Sequence, residues 1–174
     1  MVAVRDAGPA DLAAITAIYG HHVLHGTGTF EEVPPTEADM AGRVAKVQGE
    51  GYAWLVAVDE AGEVLGYGYF APFRPRSAYR FTAEDSVYVR DDIRGQGVGK
   101  ALVAELLARA EAKGIRQMVA VIGDSENVGS IGLHIALGFR QVGVLKAVGM
   151  KFGRWVDVVQ MQKALGEGEK TLPP

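Results

Sequence analysis

The sequence predicts a single α/β domain in which one mixed sheet is covered by helices. Its 174 residues are enough for one domain with a sizeable core. Segments with helical apolar spacing alternate along the chain with short β-branched strands. A glycine-rich turn at 94–100 follows one strand and leads into an alanine- and leucine-rich helix. We therefore expect one domain over residues 1–165 and a flexible, polar tail over 166–174.

The first elements are a strand and two helices. Residues 2–5 read as a short strand. A helix begins near Pro9, which suits a first helical turn, and ends where Gly26-Thr27-Gly28 interrupts the apolar spacing. A second helix is expected over about 36–48, because Thr36 can cap it and acidic residues follow in its first turn.

A β-hairpin and a third strand follow. The runs at 52–58 and 64–70 flank the turn Asp59-Glu60-Ala61-Gly62, which predicts a hairpin. Residues 72–80 are irregular and basic, and 82–89 form the next strand.

The C-terminal part alternates between the two element types. The helix after the glycine turn ends near Gly114. The later elements follow from apolar runs and a closing glycine: a strand at 117–122, a helix at 128–137, and strands at 139–145 and 155–161. The whole order, βαα-ββ-βα-βα-ββ, describes one mixed sheet with helices on it.

The glycine turn predicts a site for phosphate oxygens. Glycine lets the backbone approach a ligand closely, and the first N–H groups of a helix have no partner of their own. A P-loop is excluded because Ala101 stands where a magnesium-binding hydroxyl is needed. A dinucleotide fingerprint is also excluded, since no glycine stands three residues after the second glycine of either pair. The pattern that fits is Arg94-x-x-Gly97-x-Gly99 after a strand.

Composition excludes several classes of protein. The 21 acidic residues outnumber the 18 basic ones, which argues against a nucleic-acid partner. No apolar stretch has the length of a membrane span, and the N-terminus lacks the layout of a signal peptide. The chain has no cysteine, so it has neither disulfides nor thiol catalysis. We expect a cytoplasmic protein without nucleic-acid or membrane partners.

The glycine turn resembles the acetyl-CoA pyrophosphate loop of the GNAT N-acetyltransferase superfamily. Within that superfamily, the segments 84–89, 119–122, 137–139 and 149–158 together resemble the phosphinothricin and methionine sulfoximine/sulfone N-acetyltransferases. The resemblance runs over nearly the whole chain, from about Val2 to Lys163.

This resemblance implies a single-domain GNAT fold, with a mixed, mostly antiparallel twisted sheet flanked by helices. Its splayed central strands would bind acetyl-CoA. It also implies acetyl transfer to the α-amine of a small amino-acid analogue, and a homodimer. No metal is needed.

Glu84 is the candidate catalytic residue. An amino acid's amine is mostly protonated at neutral pH, so acetyl transfer needs a nearby group that removes the proton. Glu84 shares a strand face with Ser86 and Tyr88, whereas Asp85 faces the other side of the strand. The resemblance implies that the glutamate at this position is the general base; the alternative is a surface ion pair with Arg80.

Cofactor contacts are expected from the strand, the turn and the segment after the next strand. The strand could pair its backbone with the pantetheine amides, and the turn would hold the pyrophosphate. The resulting set is Val87, Tyr88, Val89, Arg94, Gly95, Gln96, Gly97, Val98, Gly99, Lys100, Asn127, Ser130 and His134. Many GNAT enzymes have a tyrosine acid where His134 stands; we expect His134 to contact the cofactor without catalysing the reaction.

Substrate contacts are expected near the basic loop before the strand. Arginine supplies planar paired donors for a carboxylate, phosphinate or sulfone group, although such charges can also be merely solvated. The expected set, which follows the resemblance, is Phe30, Arg74, Pro75, Arg76, Glu84, Asp85 and Ser86. Arg76 matches phosphinothricin-type sequences and Arg74-Pro75 the sulfoximine type, so the substrate subclass stays open.

Two further groups of residues have less specific interpretations. His21, His22 and His25 resemble a metal cluster only in spacing, and no complete ligand set accompanies them, so we expect surface histidines. The turn 151–155 forms either a substrate-pocket rim, a dimer contact or a plain hairpin with an aromatic beneath it.

Two rival functions remain open at this point. One is acetylation of a protein N-terminus, a lysine or a polyamine; the other is an acetyl-CoA-binding module without catalysis. Arg74 and Arg76 favour an anionic small molecule over a polyamine, and a module would not need Glu84.

Overall fold

The computed structural model describes residues 2–174. In that part of the chain seven strands and four α-helices alternate. They are β1 (Ala3–Asp6), α1 (Leu12–His25), α2 (Glu37–Gly49), β2 (Trp54–Val58), β3 (Val64–Pro72), β4 (Thr82–Val89), α3 (Val98–Ala112), β5 (Gln117–Gly123), α4 (Val128–Ala136), β6 (Arg140–Lys151) and β7 (Arg154–Ala164). None of these four helices is long and apolar enough to cross a membrane.

The strands form one sheet in the order β1-β2-β3-β4-β5-β7-β6. Neighbouring strands are antiparallel, except that β4 and β5 run parallel. That parallel pairing joins Thr82–Asp85 to Gln117–Ala120 and then stops. Beyond it, β4 remains paired with β3 up to Val89, but its other edge has no strand beside it. The sheet therefore opens into a gap between β4 and β5.

Two apolar cores cover the two faces of the sheet. On one face α3 packs through Leu102 and Leu106, both fully buried. On the other face α1 and α2 pack around Ile15, Met40 and Trp54. Each helix thus buries one stripe against the sheet, as the apolar spacing of the sequence requires.

Local chemistry sets the helix ends. Thr36 and Asp39 form a reciprocal capping box at the start of α2, with the Asp39 N–H donating to the Thr36 hydroxyl at 3.1 Å. Pro9 begins a short 3₁₀ turn, and the α-helix proper begins at Leu12. Gly97 precedes α3 with a left-handed φ of 83°, which glycine adopts without strain.

The predicted fold class and element order are confirmed, although β3, β6 and β7 are longer than expected, β6 most of all. The prediction ended the sixth strand at Leu145, whereas β6 continues to Lys151. Pairing with β7 is irregular between Leu145 and Gly149, and Ala147 has a positive φ of 53°. This bulge interrupts the period-2 alternation on which the prediction relied. At the C-terminus, Arg116 donates to the Gly168 carbonyl and the Thr171 hydroxyl.

Candidate active site

A cleft of about 930 Å³ lies where β4 and β5 diverge. The end of α1, the turn before α3 and the start of α4 complete its walls. All of the predicted cofactor-binding residues except Gln96 line this cleft: Val87, Tyr88, Val89, Arg94, Gly95, Gly97, Val98, Gly99, Lys100, Asn127, Ser130 and His134. The structure thus brings together residues separated by almost 50 positions in the sequence.

The turn before α3 presents unsatisfied N–H groups to the cleft. Gly95 and Gly97 both have left-handed backbones, with φ of 80° and 83°. The first main-chain bond of α3 is donated by Ala101 to the Gly97 carbonyl, and no side chain caps the helix. The N–H groups of the preceding residues 98–100 are therefore available to an anion. Arg94 adds positive charge, although its guanidinium also pairs with Asp91 at 2.9 Å.

Fewer main-chain groups of β4 face the gap than the sequence predicts. Glycines of β3 lie directly against the carbonyls of Ser86 and Tyr88, so the main chain of these two residues faces β3. Because strand carbonyls alternate in direction, those of Val87 and Val89 point into the gap. The Val89 carbonyl is already bonded to His22 Nε2 at 2.8 Å. The N–H and carbonyl of Val87 and the N–H of Val89 therefore remain free within the described part of the chain, and Tyr88 contributes little beyond its side chain.

The three histidines of α1 were predicted as surface residues, and His21 and His25 are indeed exposed, at the mouth of the cleft. His21, His22 and His25 all contribute to its lining. Burial lowers the pKa of His22, so its ring is neutral when its Nε2–H donates to Val89. The His21 ring stands 3.9 Å from the Asp91 carboxylate. No group of three or more metal-ligating side chains was found among residues 2–174.

Glu84 has the properties of a proton acceptor at the closed end of the gap. Burial raises the pKa of its carboxyl group, the neighbouring Asp85 charge raises it further, and the Arg74 charge opposes both. The surface ion pair with Arg80 is not formed. The Arg80 guanidinium instead lies 4.6 Å from the centre of the Phe81 ring and donates to the Ser77 carbonyl.

Asp85 is not placed as a substrate contact. Its carboxylate is buried and lies 3.0 Å from His134 Nε2, while His134 Nδ1 bonds the Ser130 carbonyl at 2.7 Å. Burial pulls the pKa of His134 down, but the hydrogen bond and charge of Asp85 outweigh it, so the pKa is raised. Both ring nitrogens are therefore occupied within the protein. Asp85 points away from Glu84 because neighbouring strand residues face opposite sides.

Of the predicted substrate-binding residues, Asp85 and Ser86 line the cleft. The others lie outside its lining: Phe30, Arg74, Pro75, Arg76 and Glu84. Arg74 stacks on Phe73 at 4.6 Å, and its charge acts on Glu84. The Arg76 carbonyl accepts from the Tyr79 N–H at 3.0 Å, and the Arg76 side chain is exposed. Pro75 lies between the two arginines in the same exposed loop. The Phe30 ring is 39% exposed and packs so closely on Gly149 that a Cβ there would stand 2.4 Å from it.

Asn127 is used within the protein as well as in the cleft. Its side-chain oxygen accepts from the Ser130 N–H at 3.2 Å and caps α4. Its amide nitrogen contacts the Gly123 carbonyl at 3.4 Å. To bind a pantetheine amide as predicted, the Asn127 side chain would have to make that hydrogen bond in addition to these two contacts within the protein.

Sequence reasoning missed two residues that shape the cleft. Lys151 was interpreted as part of a hairpin turn, yet it ends β6 and is 3% exposed. Asp124 follows β5 with a positive φ of 76° and is also buried. Both bind the segment 26–30 that follows α1. The one signal in the sequence was Gly26-Thr27-Gly28, which marks close backbone approach as well as a helix end.

Comparisons with known proteins agree with this geometry. The sequence profile of the Acetyltransferase (GNAT) family matches residues 19–139. A phosphinothricin N-acetyltransferase of Alcaligenes faecalis is 56% identical over 170 residues, 98% of this chain and 86% of that protein. An L-methionine sulfoximine/L-methionine sulfone acetyltransferase of Pseudomonas aeruginosa is 49% identical over 162 residues, 91% of this chain and 92% of that protein.

A solved structure extends the comparison to three dimensions. It is a crystal structure of a GNAT superfamily phosphinothricin acetyltransferase from Sinorhizobium meliloti in complex with AcCoA. It superposes with a TM-score of 0.96 at 51% sequence identity, covering 99% of this chain and 93% of that chain.

Proposed function

The chain belongs to the GNAT acetyltransferase family, and we propose that it moves the acetyl group of acetyl-CoA to the α-amine of phosphinothricin, methionine sulfoximine or methionine sulfone. One observation carries the proposal. An open strand edge and a turn with free N–H groups meet around a single cleft, and the half-buried carboxylate of Glu84 stands on the same strand, one residue before the cleft-lining Asp85.

The residues of the cleft fit acetyl-CoA by their donor chemistry. The N–H groups of residues 98–100, together with Arg94 and Lys100, would hold the diphosphate. The main chain of Val87 would pair with an amide of the pantetheine arm, as a neighbouring strand does. His134 and Ser130 would contact the arm from α4.

Glu84 would act as the general base. Its raised pKa makes it a stronger proton acceptor than an ordinary carboxylate. It would take one proton from the substrate ammonium. The freed amine nitrogen then bonds to the thioester carbonyl carbon, and the carbon–sulfur bond breaks. The second proton of that nitrogen passes through water to the departing thiolate, so that the amide and the CoA thiol are the products. Arg74, whose charge reaches Glu84, would hold the substrate's anionic group.

The test is thiol release from acetyl-CoA across a panel of amines. Phosphinothricin, methionine sulfoximine and methionine sulfone should release thiol, whereas spermidine and a peptide should not. Glu84→Gln should lower kcat by about 100-fold or more, with little change in the Kd of acetyl-CoA. Release with only spermidine or the peptide would support the rival acetyltransferases. Cofactor binding without any release would support a non-catalytic module.

A homodimer is supported by an apolar surface on the last hairpin. Strand β6 is an edge strand, and large apolar side chains of β6, of the following turn and of the start of β7 are 36–68% exposed. They are Val142, Val144, Leu145, Val148, Met150, Phe152 and Trp155. Together they expose roughly 500 Å² of apolar surface, a size typical of interaction sites. A second copy is the occupant we propose, because an open edge strand can pair with its own symmetry mate.

The oligomeric state can be measured directly. The native chain should sediment as a dimer, and the double change Val148→Glu with Trp155→Glu should yield a monomer. A native monomer at micromolar concentration would refute the interface. A cytoplasmic location, expected from the composition, stays a prediction.

A further inference from the structure

The segment 26–30 between α1 and α2 forms a wall of the cleft that the proposed function does not yet use. Its first three residues, Gly26, Thr27 and Gly28, line the cleft. They lie beside the end of β5, where the Thr27 carbonyl would stand only 2.2 Å from a Cβ at Gly123. Their backbone therefore closes one side of the gap between β4 and β5.

Lys151 fixes the direction of this backbone. Its Nζ donates to the Gly26 carbonyl at 2.8 Å and to the Thr29 carbonyl at 2.9 Å. No carboxylate of residues 2–174 forms an ion pair with this buried ammonium group. A buried charge is costly unless it is fully bonded. The ammonium group of Lys151 is therefore bonded by two carbonyls of segment 26–30, and these bonds fix the direction of both carbonyls.

Asp124 holds the same segment from another side. Its carboxylate accepts from the Thr27 hydroxyl at 2.7 Å and also from Arg154 at 2.5 Å. With Lys151 bound before and after Thr27, and Asp124 bound to its side chain, the peptide between Gly26 and Thr27 has little freedom to rotate.

The Thr27 N–H is left as an unused donor. All peptide bonds of the described chain are trans, so the N–H of a peptide points opposite to its carbonyl. Because the Gly26 carbonyl points to Lys151, the Thr27 N–H points away from Lys151, and Thr27 itself lines the cleft. No acceptor within residues 2–174 is bonded to it.

We propose that the Thr27 main-chain N–H donates a hydrogen bond to a carbonyl oxygen of the acylated pantetheine arm, and that Lys151 is the positioning residue that aims this donor. The inference rests on the proposed function, since it places that cofactor in the cleft. The ammonium group also polarises the Gly26–Thr27 peptide, which strengthens the N–H as a donor. Lys151 thus acts on the ligand through the Gly26–Thr27 peptide, whose carbonyl it binds and whose N–H would bind the ligand.

The direct test removes the donor alone. Replacing Thr27 by its α-hydroxy acid converts the N–H to an ester oxygen and retains the side chain that Asp124 binds. The Kd values of CoA and acetyl-CoA, measured by calorimetry, should rise about tenfold for the ligand whose oxygen is bound. An equal rise for both ligands assigns a pantetheine amide carbonyl. A rise for acetyl-CoA alone assigns the thioester carbonyl.

A second set of variants tests the positioning role. Lys151→Met should weaken binding of the same ligand about tenfold, and Lys151→Arg should recover part of it. Lys163→Met is the matched control, because Lys163 also donates to a carbonyl, that of Leu137 at 2.6 Å, away from the cleft. In the Lys151→Met variant, the ester substitution at Thr27 should raise the Kd by a smaller factor than in the native chain, because both changes weaken the same hydrogen bond to the ligand.

Unchanged Kd values in the ester variant would overturn the inference. A lowered melting temperature of Lys151→Met with native Kd values would show a merely structural lysine and overturn its positioning role. Should Lys151→Met fail to fold, the ester variant still decides, because it keeps the lysine. If the native chain itself failed to bind CoA, the proposed function would be refuted. If the native chain binds CoA and acetyl-CoA and the variants bind both equally well, only the present inference fails.

Discussion

Gly123→Ala tests how tightly the cleft wall is held. Gly123 ends β5, and a Cβ added there would meet the Thr27 carbonyl at 2.2 Å and the Phe30 ring at 3.1 Å. Real Cβ contacts essentially never fall below 3.0 Å, so the wall must retreat by about 0.8 Å. The wall cannot retreat freely, because Lys151 and Asp124 hold it.

Overpacking of this kind costs about 1–3 kcal/mol of unfolding free energy. For a chain of this size each kcal/mol shifts Tm by about 2–4 °C, so Tm should fall by about 2–12 °C. The moved wall also displaces the Thr27 peptide, so the Kd of acetyl-CoA should rise in the same variant. Differential scanning calorimetry and titration calorimetry give the two quantities on one preparation.

Gly42→Ala is the matched control. Gly42 lies within α2 and has nothing within 4 Å of an added Cβ, so alanine should stabilise the helix by about 0.5–1 kcal/mol. Opposite shifts of Tm for the two glycines are expected. A Gly123→Ala protein with native Tm and native affinity would show that segment 26–30 moves easily and that Lys151 and Asp124 do not hold it rigidly.

Three further changes probe the site and its supports. Arg74→Gln should move the acidic limb of the kcat/KM–pH profile to higher pH, because the Arg74 charge lowers the pKa of Glu84. An unmoved limb would show that the Arg74 charge does not act on the catalytic carboxylate. Thr36→Ala removes a helix cap and should cost about 1 kcal/mol, measured by urea unfolding against Gly42→Ala. His134→Gln should destabilise the chain by about 3–5 kcal/mol at acid pH. Since the folded pKa of His134 is raised, this difference is fully present below pH about 6.5 and shrinks as pH rises through the folded value; a pH-independent difference would contradict the ion pair.

Local chemistry made most of the fold predictable. Strand β4 was predicted with its observed bounds because a β-branched run is followed by glycines, and Thr36 was recognised as a cap from its residue type. The glycine turn was located because its residues are consecutive in the chain. These features depend on neighbours within a few positions, where periodicity and turn chemistry carry most of the information.

The unpredicted contacts join residues far apart in sequence. The Asp85–His134 pair spans 49 positions and the Lys151–Gly26 bond spans 125. Strand alternation predicted that Asp85 faces away from Glu84, but nothing local identifies the partner it finds there. Lys151 follows a β-bulge, so its side could not be read by counting alternate residues. Long-range geometry decides such contacts, and a single sequence does not encode it in any simple pattern.

The early end of the parallel pairing between β4 and β5 has a thermodynamic consequence. A sheet that stops pairing in its middle leaves main-chain groups of Val87 without protein partners, and an occupant of the cleft would restore them. Any molecule that binds only the folded chain stabilises it, by about 2.7 kcal/mol at 100 times its Kd. The melting temperature of the chain should therefore rise with the concentration of the molecule that occupies the gap.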